Sequence, residues 1–393
     1  FWTPSGWSIY QLFQFVCLCG AMNMVRSRMR IPLSINTGFG GRKSDNNCST
    51  RSVDSGGRRG IRVMTEAQFA KLYRLGGQVM ESTNTGMQVL FATRESDGLE
   101  VVVKVRNRGK SFKGASEERD WRLTTEVQLK MPKIETVCEF YDVVETKENY
   151  YVVMEKVSGR DLFEQLAAER MRQADAREVV YQVLCALKGF HAAGRIHKDL
   201  KLENVMVDMN SPEVSHSPGF FNSSSPSCSS PGAKLIDFDT VQDWEPSSPK
   251  SKDVLGTDGY IAPEAYSGEY SPASDIYCVG VIMYKLLTRK FPSRLDIFDD
   301  RPGENWVGSP AMRRIQERLR HQKIDFQRAP LDKCPLAADI CSKMLFLDPT
   351  ARPSAEEALR HAWFSLPQEQ LSPRETIVKA GRTPTESTQP SFS

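Results

Sequence analysis

The 393-residue sequence has little of what several common classes of site require. It contains only five histidines, and none of its nine cysteines forms a Cys-x-x-Cys pair, which argues against a structural zinc site. Because the cysteines are odd in number and scattered, we expect a reducing compartment and a cytoplasmic protein. No calcium loop of the type Asp-x-Asp-x-Asp-Gly and no internal repeat is visible. The formal net charge of +3 is too small to indicate nucleic acid as the main partner.

A long hydrophobic run is also missing. Residues 7–22 are fairly apolar, but Ser8, Gln11 and Gln14 interrupt them, so they are short for a membrane span and poorly flanked for a signal peptide. Residues 22–62 are rich in Arg, Ser, Gly and Asn, which is typical of a transit peptide or of a disordered basic tail. We favour the tail, with targeting as the alternative. We predict a disordered basic extension at 1–65 and a disordered polar tail at 366–393.

Hydrophobic periodicity divides the middle of the chain into two parts. Residues 66–155 contain mainly strand-like runs with two short helical segments, whereas apolar residues after Glu155 recur at helical spacing. The predicted fold class is α+β, with a small, mainly β N-lobe (66–155) and a larger, mainly α C-lobe (156–365). A Ser/Pro-rich insertion at 209–232 cannot bury enough apolar surface to order itself and is expected to be a surface loop.

The chemistry-bearing stretch is IHKDLKLENVM at 196–206. It places Asp199 two residues before Lys201 and five before Asn204, which is the spacing of the protein kinase catalytic loop H-R-D-x-x-x-x-N. Further kinase-like motifs stand in family order: VVVK at 101–104, LIDFD at 235–239, GTDGYIAPE at 256–264, SDIYCVGV at 274–281 and DPTARPS at 348–354. The sequence therefore resembles the eukaryotic serine/threonine protein kinases over roughly residues 75–364. Its hinge stretch, YYVVMEKVSGRDLF at 150–163, is most similar to the calcium/calmodulin-dependent group.

This resemblance implies a two-lobed protein kinase fold that uses ATP and Mg²⁺. It implies that Asp199 deprotonates the acceptor hydroxyl and that Lys201 neutralises charge on the γ-phosphoryl group. It also implies that Asn204 and Asp237 bind the metal. The predicted ATP-contacting residues are Lys104, its helix partner Glu126, Val89, Val102, Met154, Glu155, Val157 and Met206. Lys130 stands four residues after Glu126, where the family usually has an apolar residue.

The resemblance also implies a substrate class. Asp161 and Glu203 match positions that receive arginines upstream of the phosphoacceptor in basophilic kinases. We therefore predict protein substrates with upstream basic residues. No basic amphipathic helix follows Phe364, so calmodulin binding is not evident from the sequence.

Four more residues have implied structural or substrate-binding roles. Thr257 and Glu264 belong to the motif that shapes the substrate-binding floor. Asp275 is expected to bind the backbone of the catalytic loop, and Arg352 is expected to pair with Glu264.

Two departures from the family pattern leave two functions open. Ser82, Asn84 and Met87 stand where the family has the glycines of G-x-G-x-x-G, and Asp239 replaces the glycine of D-F-G. These changes would suit a pseudokinase that keeps the fold and binds partners. We expect an active kinase instead, because phosphoryl transfer depends most on the charged groups, and Lys104, Asp199, Lys201, Asn204 and Asp237 are all present.

Overall fold

The computed structural model of the protein describes residues 60–80, 85–211 and 230–367. The predicted extension up to residue 59, most of the Ser/Pro-rich insertion and the tail from residue 368 lie outside these ranges. The described residues form a smaller lobe around a six-stranded sheet and a larger lobe built mainly of helices. The predicted two-lobed α+β architecture is confirmed.

The described part of the smaller lobe consists of β1 (Arg62–Val63), α1 (Glu66–Leu72), β2 (Tyr73–Met80), β3 (Met87–Arg94), β4 (Glu100–Asn107), α2 (Ala115–Leu129), β5 (Phe140–Glu145) and β6 (Asn149–Glu155). The strand order is β1-β5-β6-β4-β3-β2, and every pair is antiparallel except β1 with β5. Strand β1 lies within the stretch predicted to be disordered. Ordered structure therefore begins before the predicted boundary at residue 66.

The two faces of the six-stranded sheet have different neighbours. One face packs against α1, where Phe69 stacks on Tyr151 with ring centroids 3.9 Å apart. Helix α1 begins with a capping box at Thr65, and Glu66 accepts a 2.6 Å hydrogen bond from the Tyr151 hydroxyl. The opposite face carries Lys104 and turns toward the larger lobe. This arrangement covers one side of the sheet with apolar contacts and leaves the other for chemistry.

The described part of the larger lobe consists of β7 (Arg160–Asp161), α3 (Leu162–Ala168), α4 (Gln173–Ala192), β8 (Arg195–Ile196), β9 (Val205–Asp208), β10 (Gly232–Leu235), β11 (Gln242–Asp243), α5 (Pro272–Thr288), α6 (Pro310–His321), α7 (Pro335–Met344) and α8 (Ala355–Leu359). Strands β10, β9 and β7 form a small antiparallel sheet, and β11 pairs with β8. Gly232, predicted as the last residue of the insertion, is already the first residue of β10.

Helix α5 is the central helix of the larger lobe and is buried along almost its whole length. It begins with a capping box at Ser271 and has Pro272 in its first turn, where the missing N–H costs nothing. Gly280 permits the close approach of α7, because a Cβ there would lie 2.9 Å from Cγ of Leu345. In the described ranges, no helix is both long and apolar enough to cross a membrane.

Candidate active site

Asp199 lies in a buried polar cluster in the loop that follows β8. The Thr257 hydroxyl donates to Oδ1 of Asp199 at 2.7 Å, and Lys201 Nζ lies 3.0 Å from Oδ2. Lys201 also donates to Oγ1 of Thr257 at 3.0 Å, so the three side chains close a triangle. Each residue is less than a tenth exposed. Thr257 and Lys201, with a longer 3.5 Å contact from the Asn204 amide, therefore fix the direction of the Asp199 carboxylate.

Asp275, in the first turn of α5, holds the backbone of this loop. Its carboxylate accepts hydrogen bonds from the backbone N–H groups of His197 at 2.8 Å and Lys198 at 2.9 Å. Lys198 has a φ of 73°, a left-handed conformation that is costly for a residue with a side chain. The two hydrogen bonds stabilise this conformation, so the central helix sets the shape of the loop that carries Asp199.

Asn204 and Asp237 have oxygen atoms suited to a metal ion. The Asn204 amide donates to the backbone oxygen of Asp199 at 2.8 Å, which leaves its Oδ1 as an acceptor. Within the described ranges, neither this Oδ1 nor Oδ2 of Asp237 accepts a hydrogen bond. Carboxylate and amide oxygens are ligands that Mg²⁺ prefers, so the residues present fit a magnesium site.

Lys104, on β4, is bound by two carboxylates of the segment after β10. Its Nζ lies 2.7 Å from Oδ1 of Asp237 and 2.8 Å from Oδ2 of Asp239. Burial opposes the charge on Lys104, but the two carboxylates outweigh burial and raise its pKa above the ordinary value. Burial alone would raise the pKa of Asp237, and the nearby Lys104 ammonium group lowers it instead.

Glu126 does not pair with Lys104 in this structure, contrary to the prediction. Its carboxylate lies 3.0 Å from Lys130 Nζ and 3.9 Å from Arg122 on the same helix. Thr125, one residue earlier and 4% exposed, lines the small cavity beside Lys104. The prediction chose the wrong position on α2, because the face of the helix that turns inward carries Thr125 and not Glu126.

The predicted nucleotide contacts of the smaller lobe share one face of the sheet. Cross-strand partners point to the same side of an antiparallel sheet, and Val89 pairs with Lys104 while Val102 pairs with Met154. Val102 and Lys104 are two residues apart on β4, so all four lie on the face opposite α1. This face is the side of the sheet that meets the larger lobe.

The remaining predicted nucleotide contacts lie where the chain leaves this sheet and below it. Glu155 ends β6, and its carboxylate pairs with Lys234 of β10 at 2.6 Å. Val157 packs against the core of the larger lobe. Met206 lies on β9, opposite Asp161 in register. The predicted ATP contacts therefore come from both lobes.

Comparison with known families agrees with this geometry. Residues 85–364 match the family model described as the protein kinase domain. The chain belongs to the protein kinase family. Its fold is the two-lobed protein kinase fold predicted from the motifs.

Curated relatives of this kinase include proteins from animals and an oomycete. It is 31% identical over 305 residues to the serine/threonine-protein kinase dkf-1 of Caenorhabditis elegans. The aligned residues make up 76% of this chain and 37% of the relative. It is 25% identical over 321 residues to the hormonally up-regulated neu tumor-associated kinase homolog of Xenopus tropicalis. That alignment includes 80% of this chain and 40% of the relative. It is 30% identical over 234 residues to the serine/threonine-protein kinase PKZ1 of Phytophthora infestans, in an alignment that includes 58% of this chain and 55% of the relative. The matches thus span only about two fifths to about half of these relatives.

Glu264 and Arg352 form a buried ion pair in the larger lobe of the kinase. Nη1 and Nη2 of Arg352 lie 2.6 Å and 2.8 Å from the two carboxylate oxygens of Glu264. Arg352 also donates to the backbone oxygens of Phe346 and Ala273. The pair connects the GTDGYIAPE motif to the chain after α7.

The predicted substrate-side acids, Asp161 and Glu203, lie close to each other in the kinase. Asp161 caps α3 by accepting a 2.8 Å hydrogen bond from Glu164 N, and burial, with help from Glu164 and Glu203, raises its pKa to about 6. Within the described ranges, Oε2 of Glu203 is a buried oxygen without a hydrogen-bond partner. Among these described residues, Glu203 therefore keeps one oxygen free to accept a hydrogen bond.

A buried lysine of α5, Lys285, is attracted by Glu203. The Nζ of Lys285 lies 3.5 Å from the ring centroid of Phe291 and 5.1 Å from that of Tyr260. Burial lowers the pKa of Lys285 to about 8, and Glu203 opposes this shift. The sequence analysis missed this residue, since a lysine within an apolar helix has no local signal for what it faces.

The altered glycine-rich loop is only partly described. Ser82 and Asn84 lie outside the described residues, and Met87 begins β3. Gly86 has a φ of 74°, and a Cβ there would lie 2.7 Å from Cβ of Lys110. Position 86 thus requires glycine for conformation and for space.

Two contacts near Lys104 were not predicted from the sequence. Gln128 donates to the backbone oxygen of Phe238 at 2.7 Å, and Asp239 binds Lys104. The sequence did hold a signal for which face of α2 turns inward. Four positions after Thr125 stands Leu129, an apolar residue that is buried, whereas four positions after Glu126 stands the charged Lys130. No local pattern could have shown that Asp239 reaches Lys104 across 135 residues.

Proposed function

We propose that this chain is an active protein serine/threonine kinase. The observation that carries the proposal is the closed triangle of Asp199, Lys201 and Thr257. Asp199 orients the acceptor hydroxyl and takes its proton as the oxygen–phosphorus bond forms, while the bond from the γ-phosphorus to the bridging oxygen breaks and ADP leaves. Lys201 neutralises the charge on the transferring phosphoryl group.

Asn204 and Asp237 hold the metal in this proposal. Bound Mg²⁺ supplies neutralisation of charge on the β- and γ-phosphates. Asn204 is oriented for this role by its hydrogen bond to the backbone oxygen of Asp199, which fixes Oδ1 relative to the acceptor site. Val89, Val102, Met154, Glu155, Val157 and Met206 enclose the adenine side of ATP.

We propose that the substrates are proteins with basic residues upstream of the acceptor, as in the calcium/calmodulin-dependent group that the hinge sequence resembles. The buried, unpartnered oxygen of Glu203 and the raised pKa of Asp161 support this preference. Both observations describe carboxylates that would gain free energy from a cation. A substrate arginine would supply that cation.

The direct test compares the full chain with Asp199→Asn in Mg²⁺, labelled ATP and a serine peptide with upstream arginines. We expect the variant to lose at least about 100-fold in kcat while the ATP affinity stays within about threefold. Asp332→Asn removes an exposed acid outside the cleft and serves as the matched control. Equal incorporation of label by wild type and Asp199→Asn would refute the proposal.

A pseudokinase scaffold is the second candidate, and one observation favours it. Lys104, the predicted phosphate contact, is already neutralised by Asp237 and Asp239. In that case the folded wild-type chain would bind partners and transfer no label to any serine or threonine peptide. Transfer that depends on Asp199 would exclude the scaffold.

A further inference from the structure

Helix α2 is the element from which a carboxylate partner of Lys104 would be expected. Helix α2 turns Trp121, Thr125 and Gln128 toward the cavity that Lys104 lines. These positions are four and three residues apart, so they form one face of the helix. None of these three cavity-lining residues carries a carboxylate.

Three glutamates of α2 bind groups other than Lys104. Glu117 accepts from the backbone of Lys113, and Glu118 binds Arg108 and the Tyr150 hydroxyl. Glu126 binds Lys130 and Arg122. The helix could bring Glu126 to Lys104 only by rotating about its axis by roughly 100°, the angle between successive helical residues. Such a rotation would remove Leu129, which is 3% exposed, from its core.

Asp239 supplies the carboxylate that this face of α2 lacks. Its Oδ2 lies 2.8 Å from Lys104 Nζ, and both side chains are largely buried, at 22% and 14% exposure. Asp237 binds the same ammonium group, but its carboxylate is also the one suited to the metal. If Asp237 held a metal, Asp239 would remain as a carboxylate bound to Lys104.

A second cation, Arg106, lies near Asp239 and offsets part of the negative charge that this carboxylate adds beside Asp237. Arg106 lies two residues after Lys104 on the same face of β4, and its guanidinium attracts Asp239 and Asp237. Arg106 itself is held over the rings of Phe112 and Trp121, at 4.3 Å and 5.2 Å from their centroids. Lys104 and Arg106 therefore both attract the Asp239 carboxylate.

Helix α2 remains connected to this segment by another route. Gln128 donates to the backbone oxygen of Phe238, between the two aspartates. Phe238 packs its ring near Phe140 and Phe190, with centroids 5.5 Å and 5.6 Å away. Helix α2 thus positions residues 237–239 through Gln128, and Asp239 in turn positions Lys104.

We propose that Asp239 replaces the helix glutamate of other kinases as the residue that positions Lys104 for the phosphates of ATP. This inference rests on the proposed kinase function. Asp239 is a positioning residue in this scheme, because it acts through Lys104. In this scheme, the Asp239 carboxylate, which departs from D-F-G, compensates for the absence of a carboxylate from α2 at Lys104.

The kinetic test moves the carboxylate back to the helix. Asp239→Asn is expected to lower kcat/KM for ATP by about 10- to 100-fold, and adding Thr125→Glu is expected to restore it to within about threefold of wild type. The Mg²⁺ concentration for half-maximal rate should stay unchanged in Asp239→Asn. Asp97→Asn, in an exposed turn of the same lobe, is the control for loss of one acid.

A second measurement needs no turnover. In the unliganded protein, a double-mutant cycle of Lys104→Met and Asp239→Asn is expected to show coupling of at least about fivefold in the unfolding equilibrium constant. This readout separates the two proposals, because a wild type without transfer activity would defeat the kinase function while the cycle still reports the Lys104–Asp239 contact.

Several outcomes would overturn the inference. They are a rate for Asp239→Asn within twofold of wild type, an additive cycle, and a loss that Thr125→Glu does not restore. A rise in the Mg²⁺ requirement would make Asp239 a metal ligand. A fall in rate for Glu126→Gln with none for Asp239→Asn would return the role to Glu126.

Discussion

Arg352 binds Glu264 through two parallel hydrogen bonds across 88 residues of sequence, and both side chains are buried. Removing one partner of such a pair leaves an uncompensated charge in the interior. Because Glu264 lies seven residues after Thr257 in the GTDGYIAPE motif, the pair also anchors that motif.

We therefore predict that Arg352→Met lowers the free energy of unfolding by about 3–5 kcal/mol. Arg360→Met is the control, since Arg360 forms an exposed pair with Glu356 and should change stability by about 0–1 kcal/mol. Chemical denaturation of both variants measures the difference. Equal losses would show that the buried pair has no special weight.

The triangle around Asp199 predicts a requirement for the hydroxyl of Thr257. Thr257→Ala should lower kcat by about 10- to 100-fold, because Asp199 loses the shortest of the contacts that orient it. Thr257→Ser keeps the hydroxyl and should retain most of the rate. A serine variant as slow as the alanine variant would point to the methyl group and not to the hydrogen bond.

The raised pKa of Asp161 predicts a pH dependence of substrate binding. Because this carboxyl has a pKa of about 6, it is neutral below that pH and charged above it. KM for a peptide with upstream arginines should fall as the pH rises from 5 to 7. Asp161→Asn should remove this change, and a peptide without basic residues should not show it. A flat KM in wild type would contradict the assignment of Asp161.

Lys285 predicts a pH dependence of stability. Its pKa falls from 10.5 in the unfolded chain to about 8 in the folded protein, so between these values the unfolded chain binds more protons and wild type gains stability as pH rises. Below pH 8 the full cost of burying the charge is present. Lys285→Met should be more stable than wild type by up to about 3 kcal/mol at pH 7, and this advantage should shrink toward pH 10. Denaturation of both proteins at pH 7, 8.5 and 9.5 measures it.

An advantage of Lys285→Met that stayed constant with pH would mean that Lys285 is not the group that titrates. In the same variant, loss of the cation near Glu203 should strengthen the preference for an upstream arginine. A peptide array measures that preference.

The parts of this kinase that could be predicted from sequence are those whose residues lie close together along the chain. Asp199, Lys201 and Asn204 lie within six consecutive residues, and their loop geometry follows from that stretch together with Asp275. The register of α2 could not be read with the same certainty, because its inward face is decided by packing of Leu129 and Thr125 and its residues are mostly polar. The partner of Lys104 depends on two segments 135 residues apart, and only the folded chain brings them together.

The contact between α1 and the sheet has a practical consequence for where a recombinant fragment should start. The match to the kinase family begins at residue 85, yet Phe69 and Glu66 cover Tyr151 on the outer side of the sheet. A fragment cut at the family boundary would expose that ring and the valines around it to solvent and invite aggregation. Gene fragments for crystallisation or assay should therefore start no later than residue 60.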